Sequence, residues 1–464
     1  MAIGTSLNRL AGLVLLLALS TAWGQPTQLT FSAPYTFRSG IDWSPDGDWI
    51  SCSFGDPQGR GYWLVKVSPT GGVEIPISTV DLGFQITPQW SADAQGIFFL
   101  RDPLGAGFDG FPAWIPAAGG PMTVLSTRPT WEFSLSRNAK RFLHSFGPID
   151  RPYRGMGLLR VPTRVDQTLM PLNSGTWQLS FAPDSRIASY RQGQGIWIQW
   201  PFGALPVPVF SAPSYCIFTW SWSPFGDRLA ISVTARCVSP WEELVWLSLS
   251  DGMLHSLDHR FVRGYPVWSR CGRHVAVGEF SAPYNLVLYE IPSGQSRVIP
   301  FPSPGYFCWS PFRDEIAWLG RWGIPPRTDI FKVSTGLPPI PAIIGTMELG
   351  STNTVRIRDA SQASLPYVIG ASFASEPGIP TPRGTIPLAL DPLLVASLSG
   401  GFFFQGFQGI LDVAGRVDAY LTVPLDAALV GTRIFIGYIT IDSAQPGGIG
   451  RISDSVPVFV QPLD

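Results

Sequence analysis

The residues that carry hydrolytic chemistry are sparse in this sequence. An α/β-hydrolase needs a serine on a Gly-x-Ser-x-Gly turn, followed along the chain by an aspartate and a histidine. The 464 residues contain no Gly-x-Ser-x-Gly, and the last histidine is His274. We therefore expect no catalytic triad, and the sequence leans away from an enzyme without excluding one.

The histidines do not form a metal-binding pattern. Of the four, His144, His255, His259 and His274, only His255 and His259 are close in sequence. Residues 253–261 are typical of an outer β-strand, in which residues i and i+4 stand roughly 13 Å apart. The sequence also lacks a phosphate loop, a dinucleotide fingerprint and calcium-loop spacing. We expect neither a metal nor a cofactor.

One pair of carboxylates stands beside an aromatic residue that could stack on a sugar. Glu242 and Glu243 follow Trp241 directly. Adjacent residues of a strand point to opposite faces, so the two carboxylates cannot form one acid/base site by themselves. We interpret this segment as a surface loop.

The five cysteines suggest disulfide chemistry in an oxidising compartment. If Trp222 lies opposite Ile231 in a hairpin, the same register places Cys216 opposite Cys237, which predicts a cross-strand disulfide between them. Cys271 and Cys308 are a second, weaker candidate pair. Cys52 is expected to be a buried thiol in a strand.

The composition indicates which elements must position such groups. The chain has 49 Gly and 45 Pro, and only 14% of its residues are charged, which excludes coiled coils, helical bundles and disordered charged tails. The net charge of -1 gives no overall attraction for nucleic acid, so we expect no nucleic-acid partner. A turn-rich, aromatic-rich all-β protein remains.

The first 24 residues have the pattern of a signal peptide. Arg9 precedes the apolar run of residues 10–19, and Ala22 and Gly24 are the small residues expected before a cleavage site. No later run of eighteen apolar residues is present. We expect a secreted or periplasmic bacterial protein with no transmembrane anchor in its mature chain.

An internal repeat determines the expected fold. The hairpin Trp43-Ser44-Pro45-Asp46-Gly47 recurs, and intervals of 47, 45, 46, 41, 46 and 41 residues separate its aromatic-like positions. These positions are Trp43, Trp90, Leu135, Phe181, Trp222, Trp268 and Trp309. This period is typical of one four-stranded blade, with third strands at segments such as 62–67 and 286–291. We expect a seven-bladed β-propeller over residues 25–340, with six or eight blades left open, and the repeated rings in the wedges between blades.

The repeat resembles a known family. Trp-Ser-Pro-Asp-Gly, an apolar strand and an Arg-Asp-Pro or Gly-rich loop are similar to the propeller repeat of the TolB family, and to the propellers of dipeptidyl and prolyl oligopeptidases. The resemblance implies a TolB-like propeller, and for TolB itself a partner in the cell envelope. The chain lacks room for the N-terminal α/β domain that TolB proteins carry before the propeller.

Residues 341–464 differ from the repeats and predict a separate β-sandwich. All 18 tryptophans lie at or before Trp322, and the Pro-rich segment 337–341 follows. The predicted strands are 354–358, 367–373, 386–390, 393–398, 417–423, 432–441 and 456–460. The segments 386–393, 409–416 and 429–438 resemble a C-terminal β module, of unassigned activity, of secreted bacterial proteins.

Long loops between second and third strands are the candidate binding surface. They carry arginine, aspartate and aromatic residues, which are common anchors of protein interfaces. The candidate binding residues are Arg101, Asp102, Arg151, Tyr153, Arg154, Trp241, Arg321 and Trp322. The alternative is that Arg–Asp pairs only hold these loops together.

Two functions from different classes are consistent with these patterns. The first is an exported, non-enzymatic interaction propeller that binds an envelope or extracellular protein or peptide. The second is a carbohydrate-binding or carbohydrate-active propeller, a lyase or hydrolase with a glycan site at the channel mouth.

Overall fold

The structure is a computed structural model. It describes residues 26–463 apart from 34–35, 56–60, 79–83, 104–109, 148–154, 171–175, 192–194, 200–203, 212–214, 236–241, 263–264, 280–284, 301–305, 313–314 and 323–325. The predicted signal peptide, residues 1–24, lies outside this part of the chain. None of the helices in the described part is long and apolar enough to span a membrane.

The described strands of residues 27–334 form five four-stranded antiparallel sheets and one eight-stranded sheet, in which a single bridge between Val262 and Glu279 joins two sets of four strands. We number the sets of four strands as units 1 to 7 along the chain. Unit 1 contains Phe37–Trp43, Ile50–Gly55, Tyr62–Val67 and Ile75–Pro76. Unit 2 contains Phe84–Trp90, Gly96–Asp102, Phe111–Pro116 and Thr123–Val124. Unit 3 contains Thr130–Leu135, Arg141–Phe146, Gly155–Arg160 and Val165–Met170. Unit 4 contains Thr176–Phe181, Ile187–Arg191, Gly195–Gln199 and Val207–Phe210. Unit 5 contains Tyr215–Trp222, Arg228–Ala235, Glu242–Ser248 and Leu254–Val262. Unit 6 contains Val267–Trp268, His274–Glu279, Asn285–Glu290 and Ser296–Pro300. Unit 7 contains Phe307–Trp309, Glu315–Trp322, Arg327–Ser334 and the N-terminal strand Thr27–Gln28.

The units surround a central channel as the blades of a β-propeller do. The first strand of every unit contributes residues to one cavity, so the first strands are innermost. Units 1 and 7 share a hydrophobic cluster that contains Trp43, Cys308 and Leu319, which closes the ring. The all-β propeller predicted from the repeat is confirmed.

The repeated turn explains why each unit begins with a tight hairpin. In the first turn, the Ser44 hydroxyl donates to an Asp46 carboxylate oxygen at 2.5 Å, and the Gly47 N–H donates to the Ser44 carbonyl at 2.9 Å. Gly47 has a φ of 71°, and a Cβ there would stand 2.2 Å from the Phe312 ring of unit 7. Only glycine allows both the turn and this contact between neighbouring units.

The repeated aromatic residues fill the wedges between units. Trp43, Trp90, Trp222, Trp268 and Trp309 are all buried. The indole N–H groups of the last two donate across the wedge, Trp268 to the Ser221 carbonyl and Trp309 to the Val267 carbonyl, each at 3.1 Å. Burial of each such ring stabilises the fold by roughly 2–3 kcal/mol.

The N-terminal strand completes unit 7. Thr27 and Gln28 pair with Lys332 and Phe331, so the outermost strand of the last unit comes from the opposite end of the propeller sequence. The buried Asp329 carboxylate accepts hydrogen bonds from the Thr30 hydroxyl at 3.0 Å and the Ser32 N–H at 2.7 Å. These bonds join residues almost 300 positions apart and fasten the two ends of the ring.

The C-terminal module consists of two facing β-sheets and a separate two-stranded hairpin, Ile379–Thr381 with Gly384–Ile386. Its strands are Ala342–Ile344, Thr352–Arg358, Pro366–Ser372, Ile379–Thr381, Gly384–Ile386, Phe404–Gln405, Gln408–Ile410, Arg416–Thr422, Arg433–Ile441, Ile449–Ile452 and Val456–Phe459. Short 3₁₀ turns stand at Ala360–Gln362, Ala427–Leu429 and Pro446–Gly448. One core joins both sheets, with Val355 and Ile357 from one and Ile369 and Ile436 from the other.

The strand predicted at 393–398 is wrong, because these residues belong to the helix Pro392–Ser399. Asp391 caps the helix by accepting a hydrogen bond from the Leu394 N–H at 2.9 Å, and Pro392 occupies the first helical turn. Aspartate followed by proline is a helix-start signal that outweighs the apolar run after it. The strand predicted at 386–390 is also wrong, because the observed strand is Gly384–Ile386 and residues 387–390 are not in a strand.

The module docks on the hairpin turns of the propeller. Each of the seven turns has a contact with a residue at or beyond position 340. The pairs are Asp48 with Arg358, Ala92 with Gly345, Lys140 with Glu348, Ser185 with Gln461, Phe225 with Phe435, Arg273 with Asp454, and Phe312 with Arg358. One end of the propeller is therefore covered by the chain's own C-terminal module.

Removal of the Asp329 carboxylate tests the ring closure. We expect Asp329→Ala to lower the free energy of unfolding by about 3 kcal/mol, because it leaves buried donors of residues 30 and 32 without an acceptor. Urea unfolding followed by tryptophan fluorescence measures the change. The exposed turn residue Asp251, which accepts one backbone N–H from Met253, is the control, and Asp251→Asn should cost less than about 1 kcal/mol. Equal losses would contradict the assignment.

Removal of Glu348 tests the docking of the module. Its carboxylate accepts from the Lys140 ammonium at 2.7 Å and the Asn138 side-chain amide at 3.0 Å, and the residue is buried. We expect Glu348→Ala to cost about 2–3 kcal/mol and to speed proteolysis of the 335–341 connection. Asp418→Ala removes a more exposed ion pair within the module and should cost less than about 1 kcal/mol. An unchanged proteolysis rate for Glu348→Ala would show that this contact does not hold the module.

Candidate functional site

The candidate binding residues from the loops are not brought together in the described part of the chain. Arg101 and Asp102 end a strand of unit 2, and Asp102 is buried, which removes its carboxylate from any contact surface. Arg321 is exposed in unit 7, with its guanidinium carbon 5.7 Å from the centre of the Phe37 ring. Trp322 lies in the same strand, opposite Arg327. Arg151, Tyr153, Arg154 and Trp241 lie outside the described residues.

The described residues form a cavity along the central channel. Its volume is about 1150 Å³. When the seven repeats are aligned on their aromatic position, the lining falls into rings, because residues i and i+2 of a strand share a face. The first strands of units 1 to 5 carry a β-bulge close to the upper ring, which turns side chains there towards the axis.

Three such rings line the channel. The upper ring, three positions before the aromatic residue, contains Gly40, Thr87, Glu132, Gln178, Thr219, Tyr265 and Tyr306. The middle ring, one position before it, contains Asp42, Gln89, Ser134, Ser180, Val267 and Cys308. The floor, two positions after it, contains Pro45, Ala92, Arg137 and Arg270, and Ile343 of the C-terminal module lies beside them. The channel is thus lined by the module at the turn end.

The upper ring is aromatic on the side of units 6 and 7. The rings of Tyr265 and Tyr306 stack with centres 5.5 Å apart. Burial raises the pKa of both hydroxyls, so they stay protonated donors. Both side chains are still partly open, with 48% and 39% of their surface exposed. They can therefore offer both a flat apolar face and a hydrogen bond to a ligand in the channel.

The lower part of the channel holds half-buried charged groups. Asp42 accepts hydrogen bonds from the backbone N–H groups of Trp90 at 2.7 Å and Trp43 at 2.9 Å. Burial nevertheless raises the pKa of its carboxyl to about 6, although these bonds and the charge of Arg270 act in the opposite direction. Burial and the neighbouring charge of Arg270 lower the pKa of Arg137 to about 10. At neutral pH both arginines remain cations.

The histidines lie away from the channel. The His144 ring is buried between the Thr130 hydroxyl, 3.1 Å from its Nδ1, and the Asp166 carboxylate, 3.0 Å from its Nε2. His255 stacks on Trp246, with ring centres 3.9 Å apart, in the outer strand Leu254–Val262 that also contains His259. No group of three metal-ligating side chains occurs among the described residues.

The cysteines differ in part from the prediction. Cys216 is disulfide-bonded, and its predicted partner Cys237 lies outside the described residues, so that pairing stays a prediction. The register used to derive it is wrong, because Cys216 pairs with Thr234 and Trp222 with Leu229. Cys271 and Cys308 are free thiols, so the second candidate pair is also wrong. Cys52 is a buried free thiol, as predicted.

Known structures support the fold. An oligogalacturonate lyase in complex with manganese aligns with 67% of this chain and 93% of its own length, at 12% identity and a TM-score of 0.54. The oligogalacturonate lyase of Vibrio parahaemolyticus aligns over the same shares, at 9% identity and a TM-score of 0.53. TolB from Acinetobacter baumannii aligns with 57% of this chain and 63% of its own length, at 14% identity and a TM-score of 0.41.

These similarities establish the propeller fold alone, because the identities are far below 25%. No family model matches the sequence. No curated protein matches it either.

The raised pKa of Asp42 gives a testable pH dependence. The carboxyl has a pKa of about 6 in the folded chain against an ordinary value of 3.8, so the folded state binds the proton more tightly. Its contribution to stability is therefore complete below pH 3.8 and is lost as the pH rises through 6. Relative to Asp42→Asn, the free energy of unfolding of the parent should rise by about 2.4 kcal/mol between pH 7 and pH 4. Urea unfolding across this range measures the difference, and parallel curves for the two proteins would exclude a raised pKa.

Proposed function

We propose that this chain is an exported, non-enzymatic binding protein whose propeller holds a protein or peptide partner at the loop end of the channel. The proposal rests on the observation that the C-terminal module covers the opposite end of the propeller, where the hairpin turns lie. Each of the seven hairpin turns contacts the C-terminal module, so a partner at that end would have to displace it. The loop end, with the channel that opens there, is the end left for a partner.

The side chains at this end suit a protein interface. Tyr265, Tyr306, Phe37 and Arg321, which we call the mouth patch, belong to the adjacent units 6, 7 and 1 and are all exposed in part. Tyrosine and arginine are frequent energetic anchors of interfaces, because each combines a large contact area with hydrogen-bond donors. The guanidinium of Arg321 is already oriented over the Phe37 ring.

The chemistry available in the channel supports binding rather than turnover. Among the described residues, the carboxylates that line the channel are Asp42 and Glu132, which belong to different rings and to units 1 and 3. A two-carboxylate glycosidase requires both groups on the same scissile bond. The sequence has no Gly-x-Ser-x-Gly motif, which also supports binding rather than turnover.

A second candidate function is the binding or cleavage of a glycan in the channel. The stacked tyrosines and Trp131, which also lines the cavity, are the kind of flat surface on which sugar rings pack. The two oligogalacturonate lyases share the propeller fold, although the likeness does not extend to a site. Turnover of a bound glycan would distinguish this function from the first.

The test is capture of a partner by the mature protein from envelope and culture-supernatant extracts. We expect Tyr265→Ala/Tyr306→Ala to reduce the captured partner at least tenfold, because the variant removes two interface anchors. Phe402→Ala/Phe403→Ala is the matched control, since it removes two exposed rings from the C-terminal module. Thermal unfolding checks that both variants are folded.

Each outcome of the capture experiment decides between the functions. Equal capture by the two double variants would contradict a partner at the mouth patch. Absence of a protein partner, together with glycan binding lost in Tyr265→Ala/Tyr306→Ala, would favour the second function. Release of shortened products from that glycan would make the chain an enzyme.

A further inference from the structure

We propose that the floor of the channel is an anion-binding site, in which the guanidinium groups of Arg137 and Arg270 together bind a small oxyanion such as sulfate, phosphate or a carboxylate group. The site lies at the opposite end of the channel from the mouth patch. It goes beyond the proposed function, since it does not depend on which partner binds there.

The two arginines occupy equivalent positions in the repeat. Each is the third residue of the turn motif, in units 3 and 6, where the other five units have proline or alanine. Both line the cavity beside Pro45 and Ala92, with Ile343 of the module at the same end. The repeat therefore places two long cationic side chains at a level where the remaining lining is short and apolar.

The charge that acts on Arg137 is that of Arg270, and the carboxylate that acts on Arg270 is Asp42. The Nε of Arg137 is buried and has no partner. A guanidinium carries five N–H donors and stays charged, so a buried donor without an acceptor lowers the stability of the fold. The two charges also repel, as the lowered pKa of Arg137 reflects. An oxyanion between them would accept these donors and remove the repulsion.

Arg38 shows how this chain satisfies a buried arginine that has only a structural role. Its guanidinium donates to the Glu74 carboxylate at 2.7 Å, the Ser32 hydroxyl at 2.9 Å and the Thr328 carbonyl at 3.0 Å. Each of these acceptors is supplied by the protein. The buried Nε of Arg137 has no such acceptor, which is the difference expected when a ligand supplies one.

The charges around the floor leave a net positive field. Asp42 is the carboxylate that interacts with Arg270, and two backbone N–H groups already use its oxygens. Burial raises the pKa of the neighbouring Cys308 thiol, so it is neutral. Glu132 belongs to the upper ring, five residues before Arg137 and thus roughly 15 Å away along an extended chain. The floor carries a net charge of about +1 when Asp42 is ionised and +2 when it is protonated.

This arrangement predicts tighter anion binding at low pH. As the pH falls through 6, Asp42 takes up a proton and its competition for Arg270 ends. Sulfate is the appropriate probe, because it keeps both charges over this range. We expect its affinity for the parent protein to rise at least threefold between pH 7.5 and pH 5.

The experiment compares sulfate with chloride at matched ionic strength on the full mature chain. Isothermal titration calorimetry and the thermal unfolding midpoint report binding, and phosphate and acetate arms show whether a tetrahedral anion or a carboxylate fits better. We expect saturable binding of sulfate by the parent and at least a tenfold loss of affinity in Arg137→Gln and in Arg270→Gln. Arg383→Gln, an exposed position on the C-terminal module, is the control and should bind as the parent does.

The anion-free variants supply an independent readout. Replacement of an arginine with a purely structural role would lower the thermal unfolding midpoint of the protein. If Arg137 and Arg270 instead repel each other when no anion is bound, Arg137→Gln in anion-free buffer should have a midpoint equal to or above that of the parent. A lower midpoint of the anion-free variant would overturn the proposal. So would a response to sulfate that does not saturate, or that is the same in the parent and in both floor variants, because it would be a general salt effect.

Discussion

The contact between the ring of hairpin turns and the C-terminal module is the interaction on which the rest of the structure depends. In the repeat, position four of the turn is aspartate or asparagine in units 1 to 4, but Phe225, Cys271 and Phe312 in units 5 to 7. Phe225 packs on Phe435, Cys271 belongs to the core of the module, and Phe312 lies under Arg358. The apolar residues that break the repeat would otherwise face water, so the module and these turns stabilise each other.

The propeller could be predicted from the sequence because its signal is local and repeated. Five residues determine each hairpin, with a serine at the second position in six of the seven turns and a glycine at the fifth in three. A ring such as Trp268 or Trp309 needs only the neighbouring first strand to be buried. The prediction was wrong where a shift of one residue changes which residues pair across a hairpin. The bulge between Ile217 and Thr219 changes the register of the fifth hairpin, and simple counting from Trp222 cannot anticipate an extra residue.

The channel site was missed for a different reason. Its residues come from different units, so Asp42 and Arg270 are separated by more than two hundred positions and share no local motif. Aligning the repeats on the aromatic position would have exposed the signal, because arginine replaces proline or alanine at the same turn position in units 3 and 6 alone. The search for conspicuous loops instead selected Asp102, which proved to be buried.

Covering one end of the propeller changes the electrostatics of its channel. With both ends open, water would solvate Arg137 and Arg270 and screen their repulsion. Ile343 and the turns beneath the module exclude part of that water, which strengthens every interaction between charges at the floor. The same exclusion raises the pKa of Asp42 and so weakens the one carboxylate that could neutralise Arg270 near neutral pH. Docking of the module thus stabilises the turns and, in the same step, creates a floor whose cations the protein itself does not fully compensate.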